Sequence, residues 1–419
     1  MASERIEGHV DEVEVEEGDD YIDPNDVYIE VGEDGDHPMD EDDEDQLGEL
    51  PEGAGEGEEI VYEDNSQQHF PNHGQSVFAV ATHPTATIAA SGGEDDLGYI
   101  WDYTTGEQIV KLTGHTDSVS SIGFSADGEM IATGGMDGKV RIWRRVGKQD
   151  YKTWEFLTEL QGPDEVTFLK WHPKGPVLLA GSNDTTVWLW QLPKGNTMQV
   201  FAGHLAPVQC GDFTPDGKRI ITADEEGNLM FWDPRESSPI FKLSAGDARF
   251  DIEGITSLAV NPASTLAVVG GVNGGVRVVS LSKGDVVGAL AGHKEGESVE
   301  SVVFVDLTGA GQVGSGGVVV TGGTDGKACI WDLSTMRIRA TLEHQDAITT
   351  LLNLPHPKSH LLVSASADKT LRTWDARTGT LIREHKGHHG PILAAALGVG
   401  GDTIISAGDD GVCLVFPTQ

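Results

Sequence analysis

The sequence predicts an all-β fold: an eight-bladed β-propeller closed by an N-terminal strand and preceded by a disordered acidic tail. Three observations carry this prediction. A segment of roughly 45 residues recurs along the chain, each copy alternates short apolar stretches with tight turns, and the first part of the chain is strongly acidic. Repeats of this length favour one four-stranded sheet per copy, arranged around a central axis.

The recurrence is clearest at the apolar or aromatic end of each copy. These ends are YIWD at 99–102, RIWR at 141–144, WLWQ at 188–191, FWD at 231–233, VVS at 278–280, IWD at 330–332, TWD at 373–375 and LVF at 414–416. Eight such ends predict eight blades, because each copy supplies one sheet.

Residues 114–143, GHTDSVSSIGFSADGEMIATGGMDGKVRIW, show how one copy is organised. VSSIGF, MIATGG and VRIW alternate as strands do, and the Asp-Gly pairs between them predict turns because Asp bonds its own backbone and Gly accepts positive φ. An apolar run such as QIVKL at 108–112 supplies a fourth strand. The last copy ends near Phe416, so we expect residues 60–70 to provide its outer strand and close the ring.

Gly-His early in a copy and Trp-Asp late resemble the WD40 repeat family over about residues 70–419. The resemblance implies a buried hydrogen-bonded network of His, Ser or Thr, Asp and Trp in each blade. Matching sets are His115, Thr133, Asp137 and Trp143; His204, Thr222, Glu226 and Trp232; His344, Ser364, Asp368 and Trp374; and His388, Ser406, Asp410 and Phe416. Partial sets are Ser91, Asp95 and Trp101, and Thr321, Asp325 and Trp331.

Two copies depart from the pattern. The third has Gly162, Pro163 and Asp164 where Gly-His is expected, and Ala180 at the hydroxyl position. The fifth has neither the His nor the Trp, and Asn273 stands where the Asp is expected. These two blades are expected to depend on packing rather than on the polar network.

His, Ser or Thr, and Asp together also suggest nucleophilic catalysis, but an active site would occur once and this set recurs in most copies. GAGQVG at 309–314 has the spacing of a dinucleotide-binding loop without a following helix. His388 and His389 are adjacent without a third metal ligand nearby in sequence. We therefore expect no catalytic residues, no cofactor and no metal site.

The charge of the chain indicates its kind of partner. The formal net charge is −40, from 68 acidic and 28 basic residues. Residues 1–58 carry much of this excess with few large apolar side chains, which predicts a disordered tail ahead of a propeller at 59–419. This balance argues against direct binding of nucleic acid or membrane and favours a basic protein. Three cysteines without CxxC spacing predict a reduced intracellular compartment, cytoplasmic and also nuclear, and the lack of long apolar runs predicts a soluble protein. We also expect a monomer.

Further acidic residues fall in loops that the WD40 resemblance places on one face of the ring. They precede the turn Asp or follow the Gly-His position: Glu94, Asp164, Glu165, Glu225, Asp251, Glu253, Glu297 and Asp409. We predict that they form the surface that binds a basic partner, and ordinary solubilising charge is the alternative. In the second copy the corresponding Thr116, Ser118 and Met136 are uncharged.

Longer phrases narrow the resemblance. SVFAVATHPTATIAASGGEDDLGYIWD at 76–102, LKWHPKGPVLLAGSNDTTVWLWQLPKG at 169–195, TPDGKRIITADEEGNLMFWD at 214–233 and LRTWDARTGTLI at 371–382 are similar to the group of the angio-associated migratory cell protein and its fungal counterpart. That resemblance implies a non-catalytic ribosome-biogenesis chaperone. It would bind the basic N-terminal segment of a newly made large-subunit ribosomal protein of the L-ten type (universal L-sixteen) and deliver it to the pre-60S particle. The alternative is a general interaction scaffold in signalling or ubiquitin ligation.

Overall fold

The computed structural model describes residues 63–147, 151–308 and 317–419. These residues form eight four-stranded antiparallel sheets, so the predicted eight-bladed all-β propeller is confirmed. The predicted tail at 1–58 and the GAGQVG stretch at 309–314 lie outside the described residues. Within the described ranges, no helix is long and apolar enough to cross a membrane.

The chain enters through a short strand, β1 (Gln68–Phe70), and then forms blades 1 to 4 from consecutive strands, numbered from the central axis outwards. Blade 1 consists of β2 (Val77–Thr82), β3 (Ile88–Gly93), β4 (Gly98–Asp102) and β5 (Gln108–Leu112). Blade 2 consists of β6 (Val119–Phe124), β7 (Met130–Gly135), β8 (Val140–Arg145) and β9 (Trp154–Leu160). Blade 3 consists of β10 (Val166–Trp171), β11 (Val177–Ser182), β12 (Val187–Gln191) and β13 (Asn196–Phe201). Blade 4 consists of β14 (Val208–Phe213), β15 (Ile220–Asp224), β16 (Leu229–Trp232) and β17 (Pro239–Leu243).

Blades 5 to 7 repeat this order, and blade 8 takes three strands and a 3₁₀ turn at Val399–Gly401 from the end of the chain. Blade 5 consists of β18 (Ile255–Val260), β19 (Leu266–Gly271), β20 (Val276–Ser280) and β21 (Asp285–Leu290). Blade 6 consists of β22 (Ser301–Val305), β23 (Val318–Gly322), β24 (Lys327–Asp332) and β25 (Arg337–Glu343). Blade 7 consists of β26 (Ile348–Asn353), β27 (Leu361–Ser366), β28 (Leu371–Asp375) and β29 (Thr380–His385). Blade 8 contains β30 (Ile392–Leu397), β31 (Thr403–Gly408) and β32 (Cys413–Pro417).

The sequence of each strand matches its place in the blade. The second strand of each blade packs against neighbouring blades and consists mainly of apolar or small residues, as in β7, MIATGG, where every residue is buried. The outer strand has one face in solvent, so exposed residues alternate with half-buried ones in β21, DVVGAL. Gly128 and Gly138 in the predicted Asp-Gly turns have φ of 72° and 74°, a region that glycine enters without steric cost.

The ring is closed by the N-terminal strand, as the sequence predicts, although the paired segment is shorter than residues 60–70. β1 pairs with β32 as the outer strand of blade 8, with Gln68 opposite Val415 and Phe70 opposite Cys413. Phe70 is fully buried and stacks on Trp101 of blade 1 with ring centroids 4.8 Å apart. The innermost strands of neighbouring blades pack together around the ring, including β30 against β2.

Hydroxyl groups also fasten neighbouring blades to one another. In four blades, a Ser or Thr near the start of the innermost strand donates to the carbonyl at the start of the next blade. These bonds are Ser120 to Val166 at 2.8 Å, Thr167 to Val208 at 2.5 Å, Thr256 to Val299 at 2.7 Å and Thr349 to Ile392 at 2.8 Å. The loops of adjacent blades are therefore held at fixed spacing around the axis.

The residues just before β1 hold the chain against blade 7. The Asn65 backbone N–H donates to Lys386 O at 3.0 Å, and its side-chain Nδ2 donates to Glu384 O at 3.0 Å. The Lys386 N–H returns a bond to Asn65 Oδ1 at 3.1 Å, and Lys386 Nζ pairs with Glu63 at 3.0 Å. The first described residues thus tie blade 7 to blade 8.

Candidate functional site

One face of the ring is defined by two kinds of loop. Because neighbouring strands run antiparallel, the loop from each second to third strand lies on the same side as the loop from each outer strand to the next blade. We call this side the upper face. In blade 2, His115 from the β5–β6 loop bonds to Asp137 from the β7–β8 loop, with Nδ1 and Oδ1 3.0 Å apart.

The upper-face loops are fixed by the buried networks that the sequence predicts. In blade 7, Trp374 Nε1–H donates to Ser364 Oγ at 2.8 Å, which leaves the Ser364 hydroxyl to donate to His344 Nε2 at 2.6 Å. His344 Nδ1–H then donates to Asp368 Oδ2 at 2.8 Å. The same His bonds occur in the sets His115, Thr133 and Asp137, beside the buried Trp143, and His388, Ser406 and Asp410, beside the buried Phe416.

In blade 4 the prediction of Glu226 as the network carboxylate is wrong. His204 bonds to Thr222 through Nε2 at 2.7 Å and to Asp224 through Nδ1 at 2.8 Å. Asp224 ends β15 two positions earlier, is fully buried, and also accepts a bond from Asn228 Nδ2 at 2.9 Å. The longer Glu226 side chain occupies the exposed tip of the turn. Trp232 completes the network by donating to Thr222 at 2.8 Å.

Sequence reasoning did not assign the network histidine of blade 1. His73 bonds to Ser91 through Nε2 at 2.8 Å and to Asp95 through Nδ1 at 3.0 Å. It precedes these residues by 18 and 22 positions, the separations that His115 has in blade 2. The order His-Gly rather than Gly-His hides this position, but the separations identify it.

The histidine of blade 6 was missed for a different reason. His293 bonds to Thr321 at 2.8 Å and to Asp325 at 3.1 Å, and Trp331 donates to Thr321 at 2.8 Å. An insertion that includes residues 309–316 separates His293 from Thr321 by 28 positions instead of 18. A search for a histidine at the usual separation from the network Thr therefore does not find His293.

In blades 1 and 2, burial disfavours the charged form of the network histidine. Burial lowers the pKa of His73 and His115, and bonds to Asp95 and Asp137 only partly oppose this effect. Burial alone would raise the pKa of Asp410, but the hydrogen bond from His388, the electrostatic interaction with His388 and the backbone N–H groups of His389 and Val412 together outweigh burial and hold that pKa at about 2. A fully satisfied, buried pair of this kind fixes loop geometry and leaves no hydroxyl poised for attack on a substrate.

A buried histidine outside the networks makes stability depend on pH. His385 is fully buried at the end of β29, where Nε2 bonds to Thr373 Oγ1 at 2.9 Å and Nδ1 is unpartnered. Burial, and secondarily repulsion from Arg383, lowers the pKa of His385 from 6.5 to about 4. The unfolded chain therefore takes up a proton near pH 6.5 that the folded chain refuses until about pH 4. The contribution of neutral His385 to the free energy of unfolding is therefore complete above pH 6.5 and is lost as the pH falls to about 4.

Between pH 6.5 and 4, we expect the free energy of unfolding to fall by about 2 to 3 kcal/mol less in His385→Gln than in wild type, because glutamine does not titrate in this range. Urea unfolding at several pH values measures this effect. His69→Gln, on the exposed side of β1, is the matched control. Parallel pH profiles for wild type and His385→Gln would show that His385 is not responsible.

Eight equivalent residues form a ring on the upper face. Each opens the turn after a second strand and donates its backbone N–H to a carbonyl just before the first strand of the same blade. These residues are Glu94, Met136, Asn183, Glu225, Val272, Thr324, Ala367 and Asp409. Three of them are acidic and none is basic, and the acidic three are all exposed.

Neighbouring loops add carboxylates where the ring residue is uncharged. In blade 3, Glu165 is exposed and accepts a bond from Asn183 Nδ2 at 3.2 Å. In blade 5, Glu253 is exposed and accepts a bond from Asn273 Nδ2. The two departing blades therefore keep an acidic upper edge although they lack the network histidine.

The other predicted acidic residues also reach the upper face, with one difference. Asp164 and Asp251 are exposed. Glu297 is half-buried and pairs with Lys294 at 3.1 Å, so part of its charge is already neutralised. Glu297 is accordingly the least available of the predicted partner-binding carboxylates.

Two further carboxylates were not predicted. Asp117 in blade 2 and Asp346 in blade 7 are exposed, and each accepts the N–H of the following residue, Ser118 or Ala347, at 2.7 Å. Both follow the network histidine by two positions, which is the signal that would have identified them. The upper edge of blade 2 is thus acidic rather than uncharged, and every blade presents a carboxylate on this face.

Comparisons with known proteins agree with this architecture. The family model described as WD domain, G-beta repeat matches residues 64–102, 106–144, 154–191, 195–233, 336–375 and 379–416. The human angio-associated migratory cell protein is 33% identical over 371 residues, covering 85% of this chain and 81% of the relative. The Saccharomyces cerevisiae ribosome assembly protein SQT1 is 26% identical over 418 residues, covering 93% of each chain.

A solved structure is also similar. It is that of Chaetomium thermophilum Sqt1 bound to the N-terminus of the ribosomal protein L10. The TM-score is 0.78 at 28% sequence identity, and the match covers 85% of this chain and 100% of the other. The matched family stretches leave out residues 234–335, a range that includes all of blade 5, which lacks the network His and Trp, and β22 to β24 of blade 6.

Proposed function

The chain belongs to the WD40 repeat family and is homologous to the angio-associated migratory cell protein and to SQT1, and on that basis we propose that it is a non-catalytic chaperone of ribosome biogenesis. It binds the basic N-terminal segment of a newly made large-subunit ribosomal protein of the L10 type on the upper face. It then delivers this client to the pre-60S particle. The chain acts as a monomer, in the cytoplasm and also in the nucleus.

The observation that carries this proposal is the continuous set of upper-face carboxylates, at least one from every blade. A ribosomal protein outside the ribosome is basic and binds RNA indiscriminately, so a chaperone must cover its positive charge. Single exposed ion pairs contribute only about 0 to 1 kcal/mol each, but several acting on one segment add up. The similarity to a structure of Sqt1 with the L10 N-terminus supports the choice of client.

The proposal predicts binding that weakens steeply with salt. The purified chain is titrated with a fluorescent peptide from the N-terminus of an L10-type protein at a series of salt concentrations. We expect tight binding at low salt and a steep loss as the salt concentration rises, because screening shortens the reach of exposed charges. Failure to bind the peptide at low salt would contradict the proposed client.

A second measurement separates a dedicated chaperone from a general scaffold. The tagged chain is recovered with actively translating ribosomes, and the attached nascent chains are identified. One dominant basic nascent protein is the result expected of the chaperone. A broad set of unrelated partners would favour the scaffold and would overturn the proposal.

A further inference from the structure

The large exposed apolar residues of the propeller, apart from Val146 and Val399, fall into two groups. Most lie on outer strands, where one sheet edge faces solvent: Phe156, Met198, Ile240, Val287, Ile338, Leu381 and Ile382. A second group lies on the upper face among the carboxylates and consists of Leu205, Met136 and Val272, which are 75%, 43% and 40% exposed. Leu205 is the most exposed of both groups, although the surrounding surface is strongly acidic.

Leu205 directly follows the network histidine of blade 4, at a position that is also exposed in blades 2, 6, 7 and 8. In blades 2, 6, 7 and 8 the residue after the network histidine donates its N–H to the network Asp; these residues are Thr116, Lys294, Gln345 and His389. In blade 4 the Asp224 carboxylate is turned to the backbone and side chain of Asn228 instead. Leu205 is thus apolar, whereas the residue at the equivalent position is polar in blades 2, 6, 7 and 8.

Backbone contacts link the loop that carries Leu205 to Glu225 and Val272. Pro207, two residues after Leu205, accepts the N–H of Glu225 at 3.0 Å. A Cβ atom added to Gly254 would lie 2.8 Å from Glu225 O and 2.9 Å from Val272 Cγ1, so Glu225 and Val272 flank the same glycine. We call Leu205, Glu225, Glu226, Glu253 and Val272 the blade 4–5 patch.

We propose that the blade 4–5 patch binds an apolar side chain that lies between Arg or Lys residues of the client segment. This inference rests on the proposed function and deepens it by naming what the client must carry besides charge. Carboxylates alone attract any basic segment, whereas an apolar contact requires a matching side chain at the correct position. Burial of Leu205 and Val272 adds a contribution that salt does not screen.

Two peptides and two variants test this inference. The first peptide is the L10-type N-terminal segment; the second has the same length and charge, with its apolar residues replaced by Ser and Gly. We expect Leu205→Ser to bind the first peptide roughly tenfold more weakly, through loss of apolar burial. Val272→Thr, which keeps the side-chain shape, is expected to act in the same direction and less strongly.

The distinguishing readout is the slope of affinity against salt concentration. Leu205→Ser should lower affinity for the first peptide without changing this slope, and it should leave binding of the second peptide unchanged. Ile240→Ser, at a residue 52% exposed on β17 of the same blade, is the matched control and should bind both peptides like wild type. Equal losses for the two peptides, a changed salt slope, or no loss would overturn the inference. Wild type that binds neither peptide at low salt would instead overturn the proposed function.

Discussion

Reversing charge at three ring positions, Glu94→Lys, Glu225→Lys and Asp409→Lys together, is expected to weaken binding of the basic client peptide by about 100-fold at physiological salt. Each exposed reversal removes an attraction and adds a repulsion of similar size, about 1 kcal/mol per site, and three sites give about 3 kcal/mol. The three residues lie in blades 4, 8 and 1, so no single blade accounts for the loss. Peptide titration measures the effect, and the salt slope should also become shallower.

The matched control reverses three carboxylates on the opposite side of the propeller: Glu107, Glu236 and Asp285, all exposed. They lie in or beside the loops from third to fourth strands of blades 1, 4 and 5. This variant has the same net charge as the upper-face triple. Equal loss of binding in the two triples would mean that total charge, rather than the upper face, attracts the peptide.

Asp224→Ala is expected to lower the free energy of unfolding by about 3 to 5 kcal/mol, the range found when one partner of a buried ion pair is removed. Both carboxylate oxygens are used, by His204 at 2.8 Å and by Asn228 at 2.8 to 3.0 Å. Alanine would leave these two buried groups without their partner and would open a small cavity. Thermal and urea unfolding measure the change.

Glu226→Ala is the matched comparison, because repeat spacing alone assigns the network role to Glu226. An exposed turn carboxylate contributes within about 0.5 kcal/mol, so this variant should unfold like wild type. If Glu226→Ala proved as destabilising as Asp224→Ala, the hydrogen-bond assignment in blade 4 would be wrong.

The repeat fixes most of the fold in advance. Strand and turn residues alternate at a constant spacing, and each copy can bury its apolar faces only against its neighbours, so the number of blades follows from the number of copies. Closure by β1 follows in the same way, since the last copy has only three strands before Pro417. Hydrogen-bond networks in blades with unbroken spacing, such as His115 with Thr133 and Asp137, are predictable for the same reason.

Sequence spacing is less informative where side-chain length or insertions decide the contact. Asp224 and Glu226 both lie near the expected position, and only the three-dimensional path of β15 shows which carboxylate meets His204. His293 is displaced in sequence by the insertion before β23 although its bonds are ordinary. The blade 4–5 patch was not predictable, because it depends on contacts between residues distant in the chain.

Ring closure also sets the order in which the molecule can be completed. β1 is made first, yet its partner β32 runs from Cys413 to Pro417, so Phe70 has no sheet to join until those residues have left the ribosome. The seam between the last and first blades is bridged on the upper face by Ser76 Oγ donating to Asp409 Oδ1 at 2.7 Å. A chain in which β32 has not yet paired with β1 therefore carries an interrupted arc of carboxylates, and the acidic circle closes only when the last and first blades meet.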